Sequence, residues 1–380
     1  MKRTSHVAQL VASVTTLAPR YRGLAALAGA ALVALLSPGS EYLASGLAAP
    51  AHSVESRRHG DDGRQGSVWV VNRDLGELTV FDARSGRVAA RVPVGAGAHD
   101  VCISERSHQA YIAAETIDLV TTVDTRTLAI DSIAVGPLPH HVEPSRDGRS
   151  VYVSLASHTP SAGSAQFAVI DTATHAVEYV TSSSNPAARV HAVYPTRDGQ
   201  TVFAAHDTGD EVTAIDTPTR TLDFRVGPIL RAEEAVGTRS GTFLWVSSRG
   251  DGSVKRIKVG RNAITGSVAV GAQPESVMLT PSERTLVVSM RGTPAALAFV
   301  DTATLTLEQT VPIGGAGTFG DLAVMTPDGQ YVYATFDATA TGTGGVAVVH
   351  VPTRTVVATW PYPGTGRPHG IWYSSRKARF

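Results

Sequence analysis

The sequence IDTAT, from Ile170 to Thr174, is one of seven related turns that recur along this chain, five of which carry Asp at the anchor position, whereas the other two read IKVG (257–260) and HVPT (350–353). The anchors of the seven turns stand at positions 82, 124, 171, 216, 258, 301 and 350, so neighbouring anchors are 42 to 49 residues apart. A period of this length indicates one supersecondary unit repeated along the chain, and it is typical of propeller blades. The Asp and Thr oxygens can bond nearby backbone N–H groups and fix a hairpin, so we assign these residues a structural role.

Between the turns the chain consists of short apolar or alternating runs, such as SVWVV at 67–71 and ELTVF at 77–81. These runs are typical of strands joined by tight turns. The first unit begins at Ser67 with a second strand, whereas the chain ends with an extra run from His369 to Ser374. We therefore predict an all-β chain, a single seven-bladed β-propeller of four-stranded blades over residues 67–380, whose first blade is closed by the C-terminal strand.

The N-terminal segment has a different composition from the repeats. Four basic residues precede an apolar stretch from Leu24 to Leu36, and the small-residue triplet Ala49-Pro50-Ala51 follows it. This order predicts an export signal over residues 1–51, with a periplasmic or extracellular protein as the result. We interpret residues 52–66 as a flexible linker and expect no membrane span in the mature chain.

Charge and cysteine content exclude several classes of function. The formal net charge is zero, and no clustered basic face of the kind that binds nucleic acid is evident. Cys102 is the only cysteine, so the chain can form no intramolecular disulfide and no site built on several cysteine ligands.

Several units, including PDGQYVYATF (327–336), VIDTATHAV (169–177) and RPHGIWYS (367–374), resemble the YVTN-type β-propeller repeat. The resemblance covers roughly residues 67 to 374 and implies the seven-bladed fold. It does not imply an activity, because one scaffold of this kind carries many unrelated functions.

Seven metal-capable or acid/base residues stand near the start of the seven predicted inner strands. They are His99, His140, His191, Glu234, Glu275, Asp321 and His369. If the blades close into a ring, four imidazoles and three carboxylates meet at one mouth of the central channel. Strand alternation predicts that His141, next to His140, points away from that channel.

Three interpretations of this ring remain open. The seven residues can be ligands of a transition metal, with copper favoured and iron or another divalent ion as alternatives. Glu234, Glu275 and Asp321 can act as general acids or bases beside a His-bound metal. In the third interpretation the histidines only bond backbone groups at the strand ends. The arrangement is similar in place and ligand type to the polynuclear copper sites of the nitrous oxide reductase and thiocyanate dehydrogenase propellers.

Our leading functional hypothesis is redox chemistry on a small molecule bound at the channel mouth. One alternative is a non-catalytic scaffold that binds a ligand or a protein partner, and a second is a metal-dependent lactonase. Four arginines near the ring can either bind an anionic substrate or pair with the acids; they are Arg189, Arg231, Arg291 and Arg367.

Overall fold

The computed structural model describes residues 64–156, 165–185, 187–337, 344–378 and 380, all of which belong to one compact unit, His59–Phe380. The predicted export signal and most of the predicted linker lie outside the described residues. In the described part the chain forms 28 strands arranged as seven four-stranded antiparallel sheets, which confirms the predicted seven-bladed β-propeller. The helical structure found there is the three-residue turn Val259–Arg261, so no described helix could cross a membrane.

Each blade has the same order of strands from the channel outward. The inner strands, one per blade, are β4 (Ala98–Ser104), β8 (Pro139–Pro144), β12 (Arg189–Pro195), β16 (Ala232–Gly237), β20 (Pro274–Leu279), β24 (Phe319–Met325) and β28 (Pro368–Ser374). The second strands are β1 (Ser67–Asn72), β5 (Gln109–Ala114), β9 (Ser150–Leu155), β13 (Thr201–Thr208), β17 (Phe243–Ser248), β21 (Thr285–Met290) and β25 (Tyr331–Asp337).

The third and outer strands complete the blades. The third strands are β2 (Glu77–Asp82), β6 (Leu119–Asp124), β10 (Ala165–Asp171), β14 (Glu211–Asp216), β18 (Ser253–Lys258), β22 (Ala296–Asp301) and β26 (Gly345–His350). The outer strands are β3 (Val88–Pro93), β7 (Ile130–Ala134), β11 (Val177–Ser183), β15 (Thr221–Val226), β19 (Ala263–Ala269), β23 (Thr306–Pro312) and β27 (Thr355–Pro361).

The ring closes as the sequence predicts. Strand β28, at the C-terminus, pairs antiparallel with β1, placing Ser67 opposite Ser374 and Trp69 opposite Trp372. The Ser67 hydroxyl also donates a 2.9 Å hydrogen bond to the Arg376 carbonyl. One blade is thus built from both ends of the propeller, and the edge of β1 is covered by a partner strand.

The core lies between neighbouring blades. Val80 and Val92 of the first blade pack in one cluster with Val101 and Ile112 of the next, and all four are buried. Burying a side chain of this size contributes roughly 1.5–3 kcal/mol, so the blade interfaces supply much of the stabilisation.

The acidic turns have the structural role expected of them. In the turn after β6, the Asp124 carboxylate accepts 2.8 Å hydrogen bonds from the backbone N–H groups of Arg126 and Thr127. Asp171 accepts equivalent bonds from Ala173 and Thr174.

Candidate metal centre

The inner strands do not run as regular β-strands where they enter the ring. In β4 the pairing with β5 passes from Ala98–Ala114 to Asp100–Ala113, so His99 is an extra residue. The pairings of the other inner strands with their second strands are irregular at the same level. A bulge of this type breaks the two-residue alternation of a strand, so consecutive residues can face the channel.

The bulged backbone is held by serines of the second strands. The Ser154 hydroxyl of β9 accepts a 2.9 Å hydrogen bond from the His141 N–H and donates a 2.6 Å bond to the His191 carbonyl in the next blade. Ser247 and Ser289 accept equivalent bonds from the N–H groups of Glu234 and Ser276. The N–H groups displaced by these three bulges are therefore hydrogen-bonded.

Three imidazoles are oriented by hydrogen bonds that cross from blade to blade. The Nδ1 atoms of His99 and His140 lie 3.1 and 3.3 Å from the carbonyl oxygens of His140 and His191. The Nδ1 of His191 lies 3.1 Å from the Glu233 carbonyl oxygen. A carbonyl oxygen can only accept, so each Nδ1 carries the proton. In the neutral tautomer the Nε2 atoms of His99 and His140 then keep their lone pairs for a metal.

His141 joins these imidazoles, contrary to the expectation that it points away from the channel. Its ring centre lies 5.2 Å from that of His99, 4.6 Å from that of His140 and 4.8 Å from that of His191. The bulge after Pro139 explains the error, because the alternation rule assumes a regular ladder. Its Nδ1 lies 3.2 Å from the Asp100 carboxylate, while its buried Nε2 has no hydrogen-bond partner.

The protonation of the imidazoles differs within the group. Burial, together with the neighbouring imidazoles, holds the pKa values of His99 and His140 well below 6.5. Burial and the charge of Arg291 act in the same direction on the pKa of His369. Burial also opposes protonation of His141, but its hydrogen bond to Asp100 raises its pKa to about 9. The group therefore contains several neutral imidazoles beside a strongly basic one.

Glu233, rather than Glu234, is the ring residue of strand β16. The pairing of β16 with β17 passes from Ala232–Ser248 to Ala235–Val246, and β20 shows the same step from Pro274 to Val277. Glu233 thus has the same position in its bulge as Glu275 has in the bulge of β20. Glu234 has the position that His141 has in β8. The sequence offered two adjacent glutamates, and only the register of the bulge distinguishes them.

The acidic half of the ring is neutralised by arginines. Glu233 lies 2.6 Å from His191 Nε2 and 2.8 Å from Arg249 Nη1. Despite the burial of Glu233, these two partners lower its pKa. Arg249 Nη2 also lies 3.3 Å from the Glu275 carboxylate. Arg249, which directly follows β17, was not anticipated from the sequence.

The remaining members of the ring form a second paired group. His369 Nε2 lies 3.1 Å from Asp321 Oδ2, and Arg291 Nε lies 3.8 Å from Asp321 Oδ1. Burial raises the pKa of Asp321 to about 7 against the opposing effect of Arg291. Arg291 thus pairs with the ring acids. Two other arginines considered from the sequence pair elsewhere, Arg189 with Asp207 and Arg367 with Asp74.

Glu115 adds a carboxylate that the sequence did not reveal. It follows the second strand β5, and its Oε1 lies 3.4 Å from His140 Nε2 and 3.8 Å from His99 Nε2. Its other oxygen accepts a 2.5 Å hydrogen bond from Arg73. Burial raises the pKa of Glu115. An oxygen donor therefore stands beside the two Nε2 lone pairs.

Two triads are compact enough to hold a metal ion. One nitrogen each from His99, His140 and His141 lie within 4.8 Å of one another, and the same is true of one donor atom each from His141, His191 and Glu275. In the first triad, the Nε2 atoms of His99 and His140 are available. In the second triad, Glu233 already contacts His191 Nε2, so the first is the better site.

A cavity of about 300 Å³ lies beside His141, the residue that both triads share. His141, Asp100 and Glu234 line its end nearest the ring, and Glu143 lies farther along it. Burial and the nearby carboxylates raise the pKa of Glu143 to about 8. Burial raises the pKa of Glu234 to about 8 as well, against the opposing charge of His141.

No protein family profile and no curated protein matches the sequence, so the YVTN-type resemblance is not confirmed at the family level. Solved structures do share the fold. Hydrazine synthase of Kuenenia stuttgartiensis is 18% identical with a TM-score of 0.63, over 75% of this chain and 92% of that one. The periplasmic gluconolactonase PpgL of Pseudomonas aeruginosa is 18% identical with a TM-score of 0.64, over 81% and 98%. The dihydro-heme d1 dehydrogenase NirN is 17% identical with a TM-score of 0.58, over 85% and 78%. At these identities the likeness concerns the fold alone.

Proposed function

We propose that this chain is an exported metalloprotein that binds a transition-metal ion, preferably copper, through His99, His140 and His141. The observation that carries the proposal is the set of blade-to-blade hydrogen bonds in which Nδ1–H of His99 and His140 donates to a backbone carbonyl, which leaves both Nε2 atoms with their lone pairs. A bond from the distal ring nitrogen to a carbonyl or carboxylate is the usual support of a metal-bound histidine. The buried, unpaired Nε2 of His141 supports the same site.

The donor set favours copper over harder ions. Three imidazoles, with the Glu115 carboxylate as a fourth donor, suit copper, zinc, iron or nickel, and copper stands highest in the divalent series. His141, whose pKa is about 9, would give up its Nε2 proton to bind the ion while its Nδ1–H remains bonded to Asp100, a carboxylate–histidine–metal arrangement. The adjacent cavity of about 300 Å³ can admit a small molecule to this group.

We assign the site to redox chemistry on a small molecule, which a bound copper ion would support. Within this proposal the protein orients the ion and supplies protons near it. Glu234 faces the cavity, and its pKa of about 8 allows it to exchange protons near neutrality. Glu275 and Asp321, held by Arg249 and Arg291, balance the charge of the site.

The decisive experiment compares the full chain with an H99N/H140N/H141N variant after equilibration with copper, zinc, iron and nickel. An asparagine amide can replace the Nδ1–H donor of each histidine but cannot supply a nitrogen at the Nε2 position. We expect one tightly bound ion per chain, mainly copper, and its loss in the variant at unchanged circular dichroism.

The matched control removes three histidines outside the ring, as H108N/H175N/H350N, and should retain the metal. The proposal fails if the wild-type protein binds no ion stoichiometrically or if both variants bind it equally. In that case the non-catalytic scaffold becomes the better interpretation.

One observation favours a second candidate, metal-dependent lactone hydrolysis. Glu143 and Glu234 both line the cavity and both have a pKa of about 8, so near neutrality each can donate a proton to a leaving alkoxide. Titration of acid release from δ-gluconolactone by the zinc-loaded protein tests it. Turnover abolished by E234Q, with copper giving no redox activity, would favour hydrolysis over redox chemistry.

A further inference from the structure

A second cavity, of about 560 Å³, opens at the end of the channel opposite the histidine ring. Four arginines line it, and each comes from the turn between the inner and second strands of one blade. They are Arg106, Arg146, Arg197 and Arg239. The four turns belong to consecutive blades, so the fold collects four exposed guanidinium groups around one side of this opening, which we call the arginine mouth.

These guanidinium groups differ from the arginines around the ring. Arg73, Arg249 and Arg291 are each within 4.0 Å of a ring-side carboxylate. In the described part of the chain, none of the four mouth arginines forms a salt bridge. The two exposed acids of the mouth already have other partners, Glu105 with Arg376 and Asp147 with Arg149. Although Arg106 also helps to lower the pKa of Asp147, the four arginines outnumber the exposed acids, and the arginine mouth carries an excess of positive charge.

The arginine mouth adjoins the cavity beside the proposed metal site. Glu143, Tyr194 and Trp372 line both cavities. A molecule that enters between the arginines would pass these three side chains and then reach the layer of Asp100, His141 and Glu234. The charged side chains at the entrance of this route are mainly arginines. At the end near the ring they are the carboxylates of Asp100 and Glu234 and the imidazole of His141.

We infer that the arginine mouth binds small anions carrying a carboxylate or phosphate group and admits them to the channel. The planar guanidinium fork matches the two oxygens of such groups, and a cleft in which charge of one sign predominates concentrates the opposite ion. The assignment of these anions as substrate rests on the proposed function. The binding of anions at the arginine mouth does not.

Trp372 provides a direct test. The chain has four tryptophans, and the other three, Trp69, Trp245 and Trp360, are buried. Quenching of tryptophan fluorescence by iodide in the metal-free full chain therefore reports entry of an anion into the channel, while neutral acrylamide reports steric access. Both quenchers are compared at one fixed, low ionic strength, because salt screens the attraction.

In an R106Q/R146Q/R197Q/R239Q variant we expect the iodide quenching constant to fall on the order of two- to tenfold while acrylamide quenching is unchanged. The matched control R84Q/R87Q/R126Q/R261Q removes four other arginines that do not line this cavity and should quench as wild type. In the wild-type protein, malonate and inorganic phosphate should each protect Trp372 from iodide. Loss of the quenchable part of the fluorescence in a W372F variant would show that this part comes from Trp372.

Equal iodide quenching in wild type and mouth variant, or an equal fall in the control variant, would overturn the inference. Absence of protection by both malonate and phosphate would also overturn it, because iodide would then enter without a binding site. Because the measurement uses metal-free protein, failure to bind copper leaves it unaffected. A positive result without metal binding would identify an anion-binding propeller rather than a metalloenzyme.

Discussion

Single residues decide whether the ring can bind a metal. A histidine can act as a ligand when a fixed acceptor keeps the proton on one ring nitrogen and the other nitrogen keeps its lone pair. Here the acceptors of His99 and His140 are backbone carbonyls of the next blade, which cannot titrate or rotate away. The acceptor of His141 is the carboxylate of Asp100, which makes that residue the sensitive point of the site.

Replacing Asp100 by Asn should weaken copper binding without abolishing it. The change removes the negative charge that orients His141, and loss of such a partner costs roughly 10- to 100-fold in metal affinity. The affinity is measured by competition with a chelator of known strength. Asp223→Asn, an exposed change on β15, serves as control and should leave the affinity unchanged. Unaltered copper affinity in D100N would contradict the proposed role of His141.

A second residue-scale prediction concerns His206, a buried histidine of β13 outside the ring. Its Nε2 lies 2.9 Å from the Thr213 hydroxyl, and burial lowers its pKa from 6.5 to about 4. As the pH falls from 6.5 to 4, His206 becomes protonated in the unfolded chain but stays neutral in the folded chain. Stability is therefore lost across this window, by on the order of 3 kcal/mol from this residue.

The measurement is the free energy of unfolding against pH for wild type and His206→Gln. The variant should lose less stability between pH 6.5 and 4, since glutamine does not titrate. His175→Asn, which removes a histidine from a turn, should retain the full wild-type slope. Parallel curves for wild type and H206Q would refute the prediction.

At the scale of elements, the bulges of the inner strands are the main structural device. Each bulge turns two consecutive residues toward the channel, and a second-strand serine pairs the displaced N–H in three blades. The short sequences YVSL, WVSS and VVSM carry these serines. The sequence shows these serines at one position of the second strand. Their function, however, depends on which inner-strand residue lies opposite each of them.

Replacing Ser154 by Ala should destabilise the protein and loosen His141. The change leaves the His141 N–H buried without an acceptor, which costs about 1–3 kcal/mol. Urea unfolding measures this cost. Ser132→Ala on the exposed face of β7 should change stability by no more than about 0.5 kcal/mol. Equal stability of the two variants would show that the serine does not hold the bulge.

At the scale of the whole molecule, closure of the ring links the C-terminus to the site. Strand β28 both covers the edge of β1 and contributes His369 to the ring. A chain that ends at residue 367 should leave β1 as an open edge, a template for aggregation, and should leave Trp69 and Val70 without their opposite strand.

We expect the 1–367 chain to aggregate or to lose cooperative thermal unfolding, measured by size-exclusion chromatography and calorimetry. A chain ending at residue 376 keeps all of β28 and should remain soluble with a single transition. A soluble, cooperatively folded 1–367 chain would mean that the ring is stable without its closing strand.

The sequence alone determined the architecture, because a repeat imposes the same local pattern in every blade. The acidic turns and the alternating runs predicted the seven blades, and the unequal ends of the chain predicted the closure; both predictions are confirmed. The sequence also identified the inner-strand starts as the level at which imidazoles and carboxylates gather. His99, His140, His191, Glu275, Asp321 and His369 all lie at that level.

Only the tertiary structure decided which side chains form the site. Alternation assumes an unbroken ladder, whereas the bulges place His141 in the imidazole group and give Glu233 the ring position expected for Glu234. Glu115 and Arg249 directly follow second strands, and the mouth arginines come from turns far apart in sequence. Their convergence results from the closing of the ring, a long-range property that no local pattern specifies.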